Sequence, residues 1–224
     1  MATIGVVSLQ DNLDSLFINA AKRYDFRIGE VNHVEHHLGE CDLLVFVGGE
    51  DVATSLYGEF RAGTSGPFEP SRRDMFELFM YRRALRAGIP MLGICRGAQF
   101  LAVMNGDSLW QDIERHPYNH KVTTTMAYGS DLTSFDVTST HHQMIHHSAG
   151  TDVDYLDIAR AHVGQVATKN EFEVHDNFND EVEICFYYNT SSLCVQGHPE
   201  YLKYENPFPT FVRKLIKDYF NLEF

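Results

Sequence analysis

The stretch Gly88-Ile-Pro-Met-Leu-Gly-Ile-Cys-Arg-Gly-Ala-Gln-Phe-Leu-Ala-Val-Met-Asn-Gly106 constrains the fold more than any other part of the chain. Ile89 to Ile94 is a short, almost wholly apolar run and reads as a buried parallel strand. From Gln99 to Met104 the apolar residues suit a helix packed on a sheet, with Gly106 as its stop. Between them, Gly93-Ile94-Cys95-Arg96-Gly97 has the G-x-nucleophile-x-G form of a nucleophile elbow, with Cys95 in the serine position. A strand-to-helix turn this sharp leaves no room for side chains, and its nucleophile tends to sit in strained backbone. Cys95 would then lie at a helix N-terminus, where unpaired N–H groups and the dipole stabilise a sulfur anion. The alternative is a buried structural cysteine after a core strand; the two flanking glycines favour the nucleophile.

The rest of the first half fits around this unit. Ile4 to Leu9 reads as a strand, Asp14 to Tyr24 as a helix and Phe26 to Val31 as a second strand. Asp42 to Gly49 is an apolar run ending in two glycines, followed by a long connection over Glu50 to Pro70. Ser71 caps a helix reaching Ala87, with Met75, Phe76, Leu78, Phe79 and Leu85 as its apolar face. Beyond the elbow, strands are expected at Lys121 to Met126, Asp136 to Thr140, Val153 to Ala161, Val163 to Thr168, Val182 to Tyr188 and Leu193 to Gln196. A closing amphipathic helix runs from Pro207 to Phe224. Alternating strands and helices imply an α/β fold: a mostly parallel sheet with helices on both faces. The strand-rich second half implies some antiparallel pairing. No repeat or linker splits the 224 residues, so one domain over 1–224 is expected.

Composition narrows the function. A net charge of −13 argues against a nucleic-acid partner, because neutralising phosphates needs clustered basic residues. The basic clusters Arg72-Arg73 and Arg82-Arg83-Arg86 read as a solvated helix face. Cys41, Cys95, Cys185 and Cys194 form no C-x-x-C pair, and all but Cys95 read as core residues. Met1 to Leu9 lacks a basic n-region, and no apolar run reaches membrane-spanning length. A cytoplasmic protein without a membrane partner is expected. His33, His36, His37, His141, His142, His146 and His147 are clustered, yet no Cys or carboxylate completes a recognised ligand spacing. Neither a metal nor a cofactor is therefore expected. The acidic run Glu171 to Glu183 reads as a solvated hairpin.

A cysteine nucleophile needs a base and a group to orient that base. In Val195-Gln-Gly-His-Pro-Glu-Tyr201, His198 and Glu200 share one face of an extended segment, so the carboxylate can reach the imidazole. Gly-Ile-Cys-Arg-Gly-Ala-Gln99 and Gln-Gly-His-Pro-Glu200 together resemble the Cys and His-x-Glu motifs of class I glutamine amidotransferases. Within that superfamily the chain most resembles the gamma-glutamyl-gamma-aminobutyrate hydrolase (gamma-glutamyl hydrolase) branch. Supporting segments are Gly48-Gly-Glu-Asp-Val52, Leu-Tyr-Gly58, Arg73-Asp-Met-Phe-Glu77, Leu109-Trp-Gln-Asp-Ile113 and Ser139-Thr-His-His-Gln143.

The resemblance implies a flavodoxin-like three-layer sandwich and a catalytic triad of Cys95, His198 and Glu200, acting on a gamma-glutamyl amide through a thioester. It implies an oxyanion hole from the backbone N–H groups of Gly49 and Arg96, and a substrate pocket bordered by Gln99, Ser139, His141 and His142. Two departures, Gly197 in place of a bulky residue and Ala53-Thr54 in place of a proline, bear on leaving-group specificity at the pocket mouth. The expected partner is a small gamma-glutamyl substrate. Three functions stay open: a free-standing hydrolase, a glutaminase passing ammonia to a separate synthetase or amide ligase, and an idle binding protein. A homodimer is also left open.

Overall fold

The computed structural model describes residues 2–7, 13–114, 116, 118–129, 133–138, 140–148, 153–163, 166–170, 172–176 and 181–224. In chain order the elements are β1 (Thr3–Val7), α1 (Asp14–Phe17), β2 (Lys22–Phe26), α2 (Val31–His37), β3 (Leu43–Phe46), α3 (Arg72–Ala87), β4 (Met91–Ile94) and α4 (Arg96–Met104). They continue as β5 (Ser108–Trp110), β6 (Asp112–Glu114), β7 (Asn119–Thr124), β8 (Ser134–Thr138), β9 (Met144–His146), β10 (Tyr155–Ala161), β11 (Val166–Asn170), β12 (Glu173–Asp176), β13 (Glu181–Tyr187), β14 (Ser192–Val195) and α5 (Pro207–Phe220).

Five strands pair in parallel in the order β2-β1-β3-β4-β14, the doubly wound order of flavodoxin-like folds. From β14 the sheet continues antiparallel through β13, β10, β7 and β8, while β9 and β5 branch from β13. The strands β12-β11-β6 form a separate small sheet. One face packs α1 and α5 residues, such as Leu16, Phe208 and Leu215, on Val6, Val45 and Ile94. The other packs Val34, Phe76, Met80 and Phe100 from α2, α3 and α4 on Val7, Phe46 and Met91. The three-layer flavodoxin-like architecture expected from the sequence is the one observed. No helix among the described residues is long and apolar enough to cross a membrane.

Local signals explain the helix ends. Ser71 Oγ accepts the Asp74 N–H at 3.1 Å, and the Asp74 carboxylate accepts the Ser71 N–H at 2.8 Å, completing a capping box. Gly88 closes α3 in the left-handed conformation. Asn206 caps α5 through the Phe208 N–H, and Pro207 occupies its first turn.

Several expectations are corrected. The helix expected over Asp14 to Tyr24 stops at Phe17, and the second strand is Lys22–Phe26 instead of Phe26 to Val31. As an edge strand beside β1 alone, β2 keeps its charged residues exposed and buries Phe26. Val31, Val34 and Leu38 instead follow helical spacing. On α3, Met75 and Leu85 are exposed; Phe76, Met80, Tyr81 and Ala84 are buried together with Asp74 and Glu77. The acidic run is a solvated hairpin only in its first part, where β12 pairs with β11 and Phe172 and Val174 are exposed. Glu181 and Glu183 are buried in β13, and part of the run lies outside the described residues.

A buried polar cluster ties strands of the antiparallel half together. His147 donates from Nδ1 to Asp107 at 2.7 Å and from Nε2 to Asp157 at 2.8 Å, and Tyr187 Oη donates to Asp107 at 2.6 Å. Burial alone would lower the His147 pKa, but the hydrogen bonds to Asp107 and Asp157 outweigh it and raise it to about 10. Because folding raises this pKa above its ordinary 6.5, the contribution is complete below that value and is lost as pH rises to about 10. The stability difference between the wild type and His147→Gln, followed by urea denaturation, is therefore expected to shrink across that window. A pH-independent difference would refute the ionic pairing.

Gly97 tests the elbow separately. A Cβ there would lie 2.1 Å from the Phe46 carbonyl oxygen. Gly97→Ala is expected to cost about 3 kcal/mol by denaturant unfolding. Gly39→Ala, where a Cβ meets nothing within 4 Å, should stay within about 0.5 kcal/mol of wild type.

Candidate active site

Three neighbouring parallel strands, β3, β4 and β14, deliver the candidate residues from their C-terminal ends. Beyond β3 come Gly48 and Gly49, beyond β4 comes Cys95, and beyond β14 comes His198. Cys95 has φ 52° and ψ −111°, a region that non-glycine residues rarely occupy. It is held there on both sides: its N–H donates to the Val195 carbonyl at 2.8 Å, and its carbonyl accepts the Gln99 N–H at 3.1 Å. Gly93 and Gly97 permit this turn because a Cβ on Gly93 would lie 2.5 Å from the Gly97 carbonyl oxygen. The strained elbow expected from the sequence is thus present.

His198 is fixed from several directions. Its N–H donates to the Thr138 carbonyl at 3.0 Å, and its carbonyl accepts Thr138 Oγ1 at 2.8 Å. Nδ1 lies 2.6 Å from Glu200 Oε1, and Nε2 lies 3.0 Å from Thr140 Oγ1. The ring stacks on Tyr201 with centroids 4.3 Å apart and planes 2° from parallel. Burial would lower its pKa, but hydrogen bonds with Cys95 and Glu200 outweigh that and raise it to about 10. The imidazole is a strong base held between a thiol and a carboxylate.

Beneath these groups lies a buried ion network from α3. The Arg96 guanidinium, 2% exposed, pairs with Asp74 and Glu77, and its Nε donates to the Glu50 carbonyl at 3.0 Å. Arg73 bonds Glu77 at 2.8 Å and donates to the carbonyls of Val47 and Gly48 at 2.9 and 2.8 Å. The loop after β3 is therefore clamped to α3. Gly49 must be glycine: its φ is +140°, and a Cβ would lie 2.1 Å from Arg73 Nη1. The expectation that Arg73 belongs to a solvated face is corrected, because its guanidinium turns inward onto the loop.

These residues line a cavity of about 330 Å³. Cys95, Gly49, Arg96, Gln99, His141, His142 and His198 all border it, and Thr140, Asp51 and Tyr201 join them. Gln99 Nε2 donates to the Gln143 carbonyl at 3.1 Å. His142 bridges Asp51 and Asp112 at 3.1 and 3.0 Å, and the hydrogen bond with Asp51 chiefly raises its pKa to about 9. Asp51 is held well below the carboxylate range: burial would raise it, and bonds from His142 and Thr64 win. His141 is nearly fully buried, which pushes its pKa down to about 3 and keeps it neutral. Ser139 lies outside the described residues.

The two departures do not sit at the pocket mouth. A Cβ on Gly197 would lie 2.9 Å from the Phe208 ring, so this position faces α5 and has no room for a bulky residue. Ala53 and Thr54 are fully buried, and neither borders the cavity. Sequence reasoning missed Thr140, Tyr201, Asp51 and the Arg73–Glu77 clamp. A signal existed for the last: an Arg and a Glu four apart on a helix form one charged pair. Which backbone that pair would hold was not readable.

A glutamine amidotransferase-like protein of Lactococcus lactis is 34% identical over 134 residues, covering 53% of this chain and 56% of that protein. The chain spans about half the length of the curated relatives it matches. Among solved structures, a glutamine amidotransferase from Thermotoga maritima shares the fold at TM-score 0.58 and 16% identity, with 89% of this chain and 76% of that one covered. A Thermoplasma acidophilum protein described as a GMP synthase subunit shares it at TM-score 0.57 and 17% identity, with 99% and 93% covered. The profile of the Peptidase C26 family matches residues 26–200, which takes in the elbow, the β3 loop and the His-Pro-Glu segment, and the chain belongs to that family.

Proposed function

We propose that the protein is a cysteine-dependent hydrolase of gamma-glutamyl amides, with Cys95, His198 and Glu200 as its catalytic triad. The observation that carries this reading is the strained Cys95 beside an imidazole whose far nitrogen is held by a buried carboxylate. With the thiol proton already held on His198, the Cys95 sulfur attacks the gamma-carbonyl carbon. Negative charge moves to the carbonyl oxygen, where the N–H groups of Gly49 and Arg96 receive it. The C–N bond breaks as His198 returns the proton to the departing amine, leaving a gamma-glutamyl thioester. Water then gives a proton to His198 and attacks the thioester, releasing glutamate and restoring the starting state. Glu200 keeps the imidazole oriented and stabilises its charged form.

The cavity walls suit a glutamyl head group. A gamma-glutamyl group carries one ammonium and one carboxylate, and the Asp51–His142 pair presents one charge of each sign at the cavity. Gln99 adds an amide to the same wall. This supports a gamma-glutamyl substrate, a feature shared by both readings of the site. A second reading, a glutaminase serving a separate synthetase, draws on the near-complete overlap with the Thermoplasma acidophilum protein described above.

Glutamate release from L-glutamine and from a panel of gamma-glutamyl amines tests the proposal. Rapid turnover of one gamma-glutamyl amine is expected. Both Cys95→Ala and His198→Ala should lower kcat by on the order of 10⁴-fold or more, with circular dichroism unchanged. Turnover of glutamine alone, rising when a synthetase is added, would favour the second reading. Full activity in Cys95→Ala would sink both.

A further inference from the structure

A second cluster of reactive side chains lies behind the cavity wall, outside the triad. Glu183 of β13 is 1% exposed, and three imidazoles converge on it. His116 Nε2 lies 3.6 Å from Glu183 Oε1, and His141 Nε2 lies 4.0 Å from the same oxygen. One ligand atom from each of His116, His141 and Glu183 falls within 4.8 Å of the other two. His120 Nε2 lies 2.8 Å from Glu183 Oε1. Glu181, also fully buried, places an oxygen 4.0 Å from His116 Nε2.

We propose that His116, His141 and Glu183 bind a divalent transition-metal ion, with His120 supporting the carboxylate from outside the ligand set.

The tautomer of His141 carries the argument. Its Nδ1 lies 2.9 Å from the Gln143 carbonyl, which can only accept, and 3.3 Å from the Gln196 amide nitrogen; the shorter contact sets the ring proton on Nδ1. Nε2 then turns a bare lone pair toward the Glu183 carboxylate. Of the two carboxylate oxygens, Oε1 lies 4.0 Å away and is already bonded to His120, whereas Glu183 Oε2 and His141 Nε2 are both buried without a hydrogen-bond partner. Burying such atoms is costly unless something positive lies between them. A carbonyl that holds Nδ1 while Nε2 points to a site is the usual second contact of a metal-bound histidine.

The donor set identifies the ion class. Two imidazoles and one carboxylate suit Zn²⁺ and its neighbours, whereas Ca²⁺ and Mg²⁺ prefer all-oxygen sites. Bonds of about 2.1 Å in tetrahedral geometry put ligand atoms about 3.4 Å apart. The two imidazole-to-carboxylate separations, 3.6 and 4.0 Å, are close to that value, and the two imidazole nitrogens lie within 4.8 Å of each other. The ion would join the segment after β6, the residues before β9 and strand β13. His141 also borders the candidate active site, so the ion would stiffen that wall without touching the reacting atoms. The competing arrangement is a proton shared within the cluster.

The test uses the whole chain in a Cys95→Ala background, which removes the competing thiol in the cavity. After stripping with EDTA, the protein is titrated with Zn²⁺ and with Co²⁺, desalted, and measured by mass spectrometry of metal content and by visible absorption. One retained equivalent is expected, with the d–d bands of four-coordinate Co²⁺ and a raised Tm. His116→Ala and Glu183→Gln should each lose that equivalent, and His120→Ala should weaken Zn²⁺ affinity roughly 10- to 100-fold. If Glu183→Gln does not fold, His116→Ala and His120→Ala still decide the matter. The combined His33→Ala/His36→Ala/His37→Ala variant should retain the ion. No retained equivalent in the parent protein, or one that survives His116→Ala, would overturn the proposal and leave a proton in the cluster. None of these readouts depends on hydrolysis.

Discussion

The site depends on a buried ion network that joins three pieces of backbone. Asp74 and Glu77 project from α3 into the space under the elbow, where they meet the guanidinium of Arg96. Arg73 extends the network to the carbonyls of Val47 and Gly48. Charges this deep are costly to bury unless each finds a partner. Here the partners are the β3 loop, the first turn of α4 and the first turns of α3. The arrangement specifies where the loop must lie relative to Cys95. It also explains why Asp74 has two roles, capping α3 through Ser71 and pairing with Arg96.

Around this base, parallel pairing does the positioning. Adjacent strands in parallel end on the same side, so residues after β3, β4 and β14 meet although they lie far apart in sequence. The C-terminal edge of an open α/β sheet is where ligands generally bind. The antiparallel extension supplies the opposite wall. β8 and the residues after it hold His198 through Thr138 and Thr140, and the segment before β9 brings His141 and His142 to the cavity. The two halves of the sheet thus contribute different things: the parallel block the reacting groups, the antiparallel block their restraint.

Much of the parallel block was legible in the sequence. Short apolar runs marked β3 and β4, and the expected helix from its Ser71 cap to Ala87 matches α3. The weak points were edge elements. β2 mixes charged and aromatic residues because only one of its sides pairs, and its pattern passes for a helix. The three-residue strands β5, β6 and β9 are too short to show a period. The face of α3 was misread because it buries charged residues, and a hydrophobic count takes such positions for solvent.

By itself, the sequence determined the α/β alternation, the Gly-x-Cys-x-Gly turn and the His-x-Glu spacing, because each is local and set by backbone sterics or strand geometry. Tertiary structure alone decided what the acidic and basic residues do. Glu183 reads as one of a solvated acidic run, yet β13 carries it into the interior against His116, His120 and His141. Arg73 reads as surface charge, yet it clamps the β3 loop. Whether a charged side chain meets water or a buried partner depends on which strands lie across from it, and that pairing is long-range. No window along the chain contains it.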